Sequence, residues 1–196
     1  MQFEQLESSE GLMVKGPLLI KPNVFGDDRG WFFESWNQIA FDQAVGDAVV
    51  FSQDNHSCSI QGVLRGLHYQ ITPEPQAKLV RSTFGRIFDV AVDLRRSSPS
   101  FGQWVGAELS AENKHQLWIP EGFAHGFLTL SSSAEVQYKS RGFWNKSCER
   151  AIIWDDSDLA IAWPVDLLQD AAVRLSEKDA QAISFNDAQS LGDIFS

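Results

Sequence analysis

A chain of 196 residues with 43% hydrophobic and 21% charged content buries a substantial core without further help, so residues 1–196 read as one domain. A net charge of −10 with a pI near 4.7 opposes nucleic-acid binding, which depends on neutralising phosphates with Lys and Arg. Cys58 and Cys148 are too few for a disulfide framework, Met1 to Glu10 carries three glutamates and no basic residue, and no apolar run reaches membrane-spanning length; a cytoplasmic protein that neither spans nor binds membrane is expected.

Between about 15 and 165 the chain consists of short stretches rich in Val, Ile, Phe and Trp, broken by Gly, Pro, Asn or Ser, as in sandwiches and barrels. In order, the predicted strands are Leu18–Ile20, Trp31–Trp36, Val49–Gln53, Gly62–Gln70, Lys78–Phe84, Arg86–Leu94, Trp104–Leu109, Gln116–Ile119, Phe127–Leu130, Ala134–Tyr138 and Ala151–Trp154. Trp31–Trp36 lacks strict alternation, which predicts burial on both sides, as at a dimer interface. Arg86–Leu94 alternates cleanly, with Phe88, Val90, Val92 and Leu94 on one face and Ile87, Asp89, Ala91 and Asp93 on the other. Helices are predicted over Gln38–Val45, after Asn37 as N-cap, and over Ala180–Ala188, after the capping pattern Ser176 to Asp179. These elements predict an all-β jelly-roll barrel with short flanking helices and a helical tail from about 176.

Nucleotide-binding glycine loops, hydrolase elbows and Cys pairs are missing from the sequence. Acid–base chemistry near neutral pH must then draw on four histidines, two tyrosines, a tuned carboxylate or a depressed lysine. In Gly62 to Gln70, alternation groups Leu64, Gly66, His68 and Gln70, so His68 faces the barrel interior either as a satisfied core residue or as a base. Pro120-Glu-Gly122-Phe-Ala-His125 resembles the second motif of cupin barrels. The first cupin motif is nearly matched by Gly62, His68 and Glu74, but Gln70 replaces its second histidine. An amide in place of an imidazole weakens a metal site, so no metal or other cofactor is expected.

The ordered segments Phe25 to Ser35, Gln53 to Ser57, Val63 to Gln70, Gln76 to Val80, Phe88 to Arg95, Ser98 to Gly102, Trp118 to Phe127, Tyr138-Lys139 and Leu175 to Asp179 together resemble the dTDP-4-dehydrorhamnose 3,5-epimerase family, from about Ile20 to Asp179. The resemblance implies a cupin-like (double-stranded β-helix) jelly roll acting on a dTDP-keto-sugar without a cofactor. It implies His68 as base, Asp179 as its orienting carboxylate, Tyr138 as acid on the opposite face of the sugar, and Lys78 beside the carbonyl oxygen. Arg65, His125 and Lys178 would meet the sugar and diphosphate, where a few cations reverse the acidic field locally. Gln53, Asn55 and Glu149 would add polar contacts. Phe143, followed by Trp144, would replace a family tyrosine that stacks on the base. Phe25, Arg29 and Glu34 would lie in the nucleotide pocket, with Arg29 and Glu34 reaching the neighbour's pocket through an N-terminal strand exchanged in a homodimer.

Read locally, Asp179 equally suits a helix cap, Tyr138 a core tyrosine, and Lys78 and Arg65 solvated surface charges. Alternatives to 3,5-epimerisation are a single-site epimerase or ketoisomerase, a metal-dependent cupin using His68, Gln70, Glu74 and His125, and a non-catalytic sugar-binding cupin.

Overall fold

The computed structural model describes all residues, 1–196. Its strands are β1 (Gln2–Glu7), β2 (Met13–Lys21), β3 (Val24–Asp27), β4 (Gly30–Phe33), β5 (Gln53–Ile60), β6 (Leu64–Gln70), β7 (Ala77–Phe84), β8 (Arg86–Asp93), β9 (Trp104–Ser110), β10 (Gln116–Ile119), β11 (Phe123–Thr129), β12 (Ser133–Arg141) and β13 (Glu149–Ala151). Three helices accompany them: α1 (Gln38–Val45), α2 (Glu177–Ala180) and α3 (Phe185–Leu191). A six-stranded sheet in the order β1-β2-β10-β7-β12-β5 faces a five-stranded sheet in the order β13-β6-β11-β8-β9, while β3 and β4 form a separate hairpin. Strands distant in sequence, such as β2 with β10 and β6 with β11, are neighbours, which is the jelly-roll arrangement expected from the sequence.

The clean alternation of β8 sorts two cores. Ile87 and Ala91 enter the space between the sheets with Val80, Leu117, Phe127 and Val136. Val90, Val92 and Leu94 point outward and are covered by the C-terminal segment through Leu159, Trp163, Leu168 and Phe185. Burying each such aliphatic or aromatic side chain contributes roughly 1.5–3 kcal/mol. On the outer face of the six-stranded sheet, Phe41 of α1 meets Trp118 edge-on at 5.1 Å, beside Leu18, Ile20 and Leu79. The expected bounds of α1 are present: the Asn37 side chain accepts from the Ala40 N–H, and Gly46 closes the helix in the left-handed conformation.

Several elements depart from expectation. β1 lies outside the expected strands because Phe3 and Leu6 are the only apolar residues of Gln2 to Glu7 and do not alternate; it is an edge strand paired only with β2. Only Gly30–Phe33 of the predicted Trp31–Trp36 strand is extended in a ladder. Its hairpin with β3 leaves Phe25, Trp31 and Phe32 65%, 63% and 70% exposed within this chain. The predicted strand Val49–Gln53 is irregular, and the real strand begins at Gln53. Phe123, not Phe127, opens β11, and Glu149–Ala151 replaces Ala151–Trp154. The predicted helix Ala180–Ala188 is two helices, because the intervening backbone turns to the sheet edge, where the Ile153 N–H donates to the Ile183 carbonyl. Ser184 then caps a fresh helix by accepting from the Asp187 N–H.

Candidate active site

The site is built around a bulge in β6. His125 of β11 pairs with His68, and Phe127 with Arg65, so β6 has one residue more than β11 over this stretch. An extra residue resets the alternation. Leu64, Leu67 and Tyr69 therefore all pack into the outer core, and His68 does not share a face with Leu64 as strand periodicity suggested. Arg65 points the other way and donates to Ser59 Oγ on β5 at 3.1 Å. Gly66 makes the bulge feasible: its φ is +142°, and a Cβ there would lie 2.5 Å from Gly126 Cα.

His68 Nε2 lies 2.5 Å from Asp179 Oδ1, and Asp179 is 3% exposed. The other carboxylate oxygen accepts from the Ser176 hydroxyl at 2.8 Å, while Ser176 Oγ accepts from the Asp179 N–H at 3.1 Å. Ser176 is the helix cap, which frees the Asp179 carboxylate for the histidine. Burial opposes ionisation of Asp179, but the bond and charge of His68 together with Ser176 hold its carboxyl below the usual range. A carboxylate at Nε2 fixes the proton there and leaves the Nδ1 lone pair free.

His125, the cross-strand neighbour of His68, is 6% exposed and places Nε2 2.8 Å from Oδ1 of the fully buried Asp89. Its Nδ1 lies 3.5 Å from Lys78 Nζ. Burial lowers the His125 pKa against the attraction of Asp89, so the ring is neutral and accepts at Nδ1 from the ammonium of Lys78. Burial likewise pushes Lys78 down to about 8, with Asp89 and Glu149 pulling the other way. The ammonium stands 5.7 Å from the centroid of the Tyr138 ring.

Tyr138 pairs with Val80 on one side and Asn55 on the other and points between the sheets. Burial raises its phenol pKa, keeping the hydroxyl a proton donor at neutral pH. Gln53 donates to Asn55 Oδ1 at 2.9 Å and accepts from the Trp144 N–H at 3.2 Å. Glu149 pairs with Lys178 at 2.7 Å. Burial acts against its ionisation, but the hydrogen bonds from Lys178 and the Trp144 indole hold its carboxyl low.

The structure thus brings His68, Asp179, Lys78, His125, Tyr138, Arg65, Glu149 and Lys178 around one end of the sandwich, with Gln53 and Asn55 on the adjoining strand. Phe143 adjoins them, 67% exposed, its carbonyl accepting from the Gln70 amide. Phe25, Arg29 and Glu34 are not brought in by their own chain. Arg29 is bonded only to Asp27, and Glu34 has no side-chain hydrogen bond or ion pair. A cavity of about 410 Å³ shares Asn55 and Tyr138 with this cluster. Its other walls, including Trp36, His56, Arg81 and Gln137, belong largely to the outer face of the six-stranded sheet, so it is a neighbouring groove and not the reaction pocket.

A cupin metal does not fit here. Gln70, which stands where the second cupin histidine would be, uses its amide nitrogen on the Glu74 and Phe143 carbonyls and accepts at its oxygen from the Asn145 N–H, so its carboxamide is engaged in holding the loop. The ring nitrogen that His125 does not give to Asp89 faces the Lys78 ammonium at 3.5 Å, which repels a cation, and no three His, Cys, Asp or Glu side chains converge as a ligand set. Asp89 is the participant that the sequence reading placed only in a strand; Ser176 and Trp144 entered it as a helix cap and as the neighbour of Phe143, without their bonds to Asp179 and Glu149. For Asp89 a signal existed: a carboxylate on the same face as Ile87 and Ala91 needs a buried partner.

A family profile described as dTDP-4-dehydrorhamnose 3,5-epimerase matches residues 11–187. The dTDP-4-dehydrorhamnose 3,5-epimerase of Pseudomonas aeruginosa is 61% identical over 177 residues, covering 90% of this chain and 95% of the relative. A crystal structure of a dTDP-6-deoxy-D-glucose-3,5-epimerase from Legionella pneumophila, in complex with dTDP-4-keto-L-rhamnose, superposes with a TM-score of 0.88 at 42% identity, covering 99% of this chain and 98% of that one. A 3'-monoepimerase from Streptomyces bikiniensis, in complex with dTDP-quinovose, superposes with a TM-score of 0.85 at 32% identity, over 93% of this chain and 90% of that one. With the profile spanning nearly the whole chain and relatives this similar over nearly their full lengths, the chain belongs to the dTDP-4-dehydrorhamnose 3,5-epimerase family.

Proposed function

We propose that this chain converts dTDP-4-dehydro-6-deoxy-D-glucose to dTDP-4-dehydro-L-rhamnose, inverting C3 and C5 in the biosynthesis of dTDP-L-rhamnose. The observation that carries the mechanism is His68 of the five-stranded sheet, paired with Asp179 of α2, facing Lys78 and Tyr138 of the six-stranded sheet. Protons at C3 and C5 flank the C4 ketone. His68 Nδ1 takes one of them, the C–H electrons pass into the carbonyl, and the oxygen becomes an enolate. Lys78 donates to that oxygen, and its charge matters most where water is excluded. Asp179 stabilises the imidazolium that results. As the enolate returns to the ketone, Tyr138 delivers a proton to the opposite face of the carbon; His68 then gives its captured proton to solvent and Tyr138 takes one from solvent, which restores both groups. The same groups act again at the second carbon.

Arg65, His125 and Lys178 hold the sugar and diphosphate, Arg65 through the paired donors of its planar guanidinium. Gln53, Asn55 and Glu149 complete the polar contacts, and Phe143, with Trp144 beside it, offers an aromatic face to the base. The exposed β3–β4 hairpin, with Phe25 and with Arg29 unattached to its own site, suits exchange with a second copy. In the resulting homodimer Phe25, Arg29 and Glu34 close the nucleotide pocket. Residues 1–196 act as one domain, with the tail from 176 supplying Asp179 and Lys178, and the protein works in the cytoplasm without a cofactor.

Incubation with dTDP-4-keto-6-deoxyglucose in heavy water tests the reading. Deuterium should enter both C3 and C5, and His68→Asn should abolish entry at both; exchange that survives this substitution rules out His68 as base. The likeness to a 3'-monoepimerase makes exchange at a single carbon the informative alternative.

A further inference from the structure

On the side of β6 turned away from the pocket, Tyr69 is 4% exposed in the outer core. Its partner on β13 is Arg150, and this pair is flanked by His68 with Ala151 and by Gln70 with Glu149. Alternation therefore sets Tyr69 and Arg150 behind His68 and Glu149. Both of these outward side chains end on one residue. The Tyr69 hydroxyl donates to the Asp193 carbonyl at 2.7 Å, and Arg150 Nε lies 2.7 Å from Asp193 Oδ1.

Asp193 is itself anchored. Its N–H donates to the Ala188 carbonyl at 2.9 Å, and two residues later the Phe195 N–H donates to Leu94 at 3.1 Å. Burial and the Asp193 charge raise the pKa of the Tyr69 phenol, which keeps it a donor. The family match stops at residue 187, so this anchor lies beyond the matched segment.

The strand that Asp193 grips is short and is flanked by backbone bonds, Ile71 to Cys148 on one side and Ile152 with Leu67 on the other; Asp193 adds a side-chain anchor from the outer face. β13 has three residues and pairs with β6 alone. A slip of one residue would reverse its faces, turning Glu149 out of the pocket and releasing Lys178.

We infer that Asp193 is a positioning residue for the epimerase site, holding Tyr69 through its backbone carbonyl and Arg150 through its carboxylate, so that the β6–β13 register aims His68 and Glu149 into the pocket. This rests on the reading of His68 as the base. Asp193 touches no substrate, and its contribution is geometric.

The test measures kcat and KM for deuterium wash-in, with melting temperature, for Asp193→Ala, Asp193→Glu, Tyr69→Phe and His68→Asn. Asp193→Ala should lower kcat/KM on the order of tenfold, divided between a lower kcat through His68 and a higher KM through Glu149 and Lys178. Asp193→Glu, which keeps the charge, should restore most of that loss. The imidazole 15N signals of His68 should shift in Asp193→Ala and return in Asp193→Glu. Tyr69→Phe removes a single hydroxyl and carries the test if Asp193→Ala fails to fold. Values of kcat and KM within twofold of the parent in the folded Asp193 and Tyr69 variants, while His68→Asn abolishes exchange, would overturn the role of Asp193. Loss of activity that Asp193→Glu does not rescue, with the His68 signals unmoved, would overturn it too. Exchange that persists in His68→Asn instead removes the base on which the inference stands.

Discussion

Lys78 shows how one side chain is tuned by where it is placed. Burial beside neutral His125 lowers its pKa to about 8, and the proposed role requires the protonated form. Because a depressed lysine loses its proton as pH rises through the folded value, kcat should fall on the alkaline side around pH 8; a rate profile flat to pH 10 would contradict the role. Lys78→Met should reduce exchange by roughly 10²–10³, the cost of removing one donor from a developing oxyanion. Tyr138→Phe should separate the two halves of the reaction. Proton removal at the His68 side should persist, read as deuterium wash-in with retained configuration, while net inversion falls further. Equal loss of both would leave Tyr138 without a distinct donor role.

At the scale of elements, short segments hold charged groups in place. The loop after β8 closes on Asp93, whose buried carboxylate accepts from Arg95, Ser98 and Ser100 at 2.7, 2.6 and 2.7 Å. Burial opposes its ionisation, but these donors keep its pKa below the ordinary aspartate value of 3.8. The stability it contributes is therefore present above pH 3.8 and is lost as pH falls further, through the folded value. Urea midpoints measured from pH 6 to pH 2.5 should drop below that point, and less steeply in Asp93→Asn, though that variant starts lower. Ser176 does for α2 what Asp93 does for its loop. Ser176→Ala should cost about 0.5–2 kcal/mol as a lost cap and, by freeing one oxygen of Asp179, should also reduce kcat. A change in stability with no change in kcat would confine Ser176 to capping.

Across the whole molecule, the β3–β4 hairpin leaves Phe25, Trp31 and Phe32 mostly exposed, with Trp31 met in its own chain by Phe33 and the Lys114 ammonium. If a second copy covers them, each active site combines His68 of one subunit with Arg29 of the other. Mixing Arg29→Ala with His68→Asn, each nearly inactive alone, should then regenerate activity as subunits exchange, since one site of the mixed dimer carries neither substitution. Exchange demonstrated by mass with no recovered activity would exclude shared sites.

The alternation of β8, the cap and closing glycine of α1, and the succession of short apolar strands were enough to specify an all-β sandwich, because side-chain periodicity and capping are local properties. The motif around His68 and His125 was legible for the same reason: its residues lie on two compact strands. What the linear order could not contain was the extra residue in β6, which turns His68 away from Leu64, since a bulge is defined only against the partner strand. Nor could it place Asp89 beneath His125, divide the predicted final helix at Ile183, or bring Asp193 behind the catalytic face, because each depends on contacts between segments far apart in sequence. Tertiary packing decided these points, since the energy of a buried carboxylate or an edge-strand register resides in its partners and not in its neighbours along the chain.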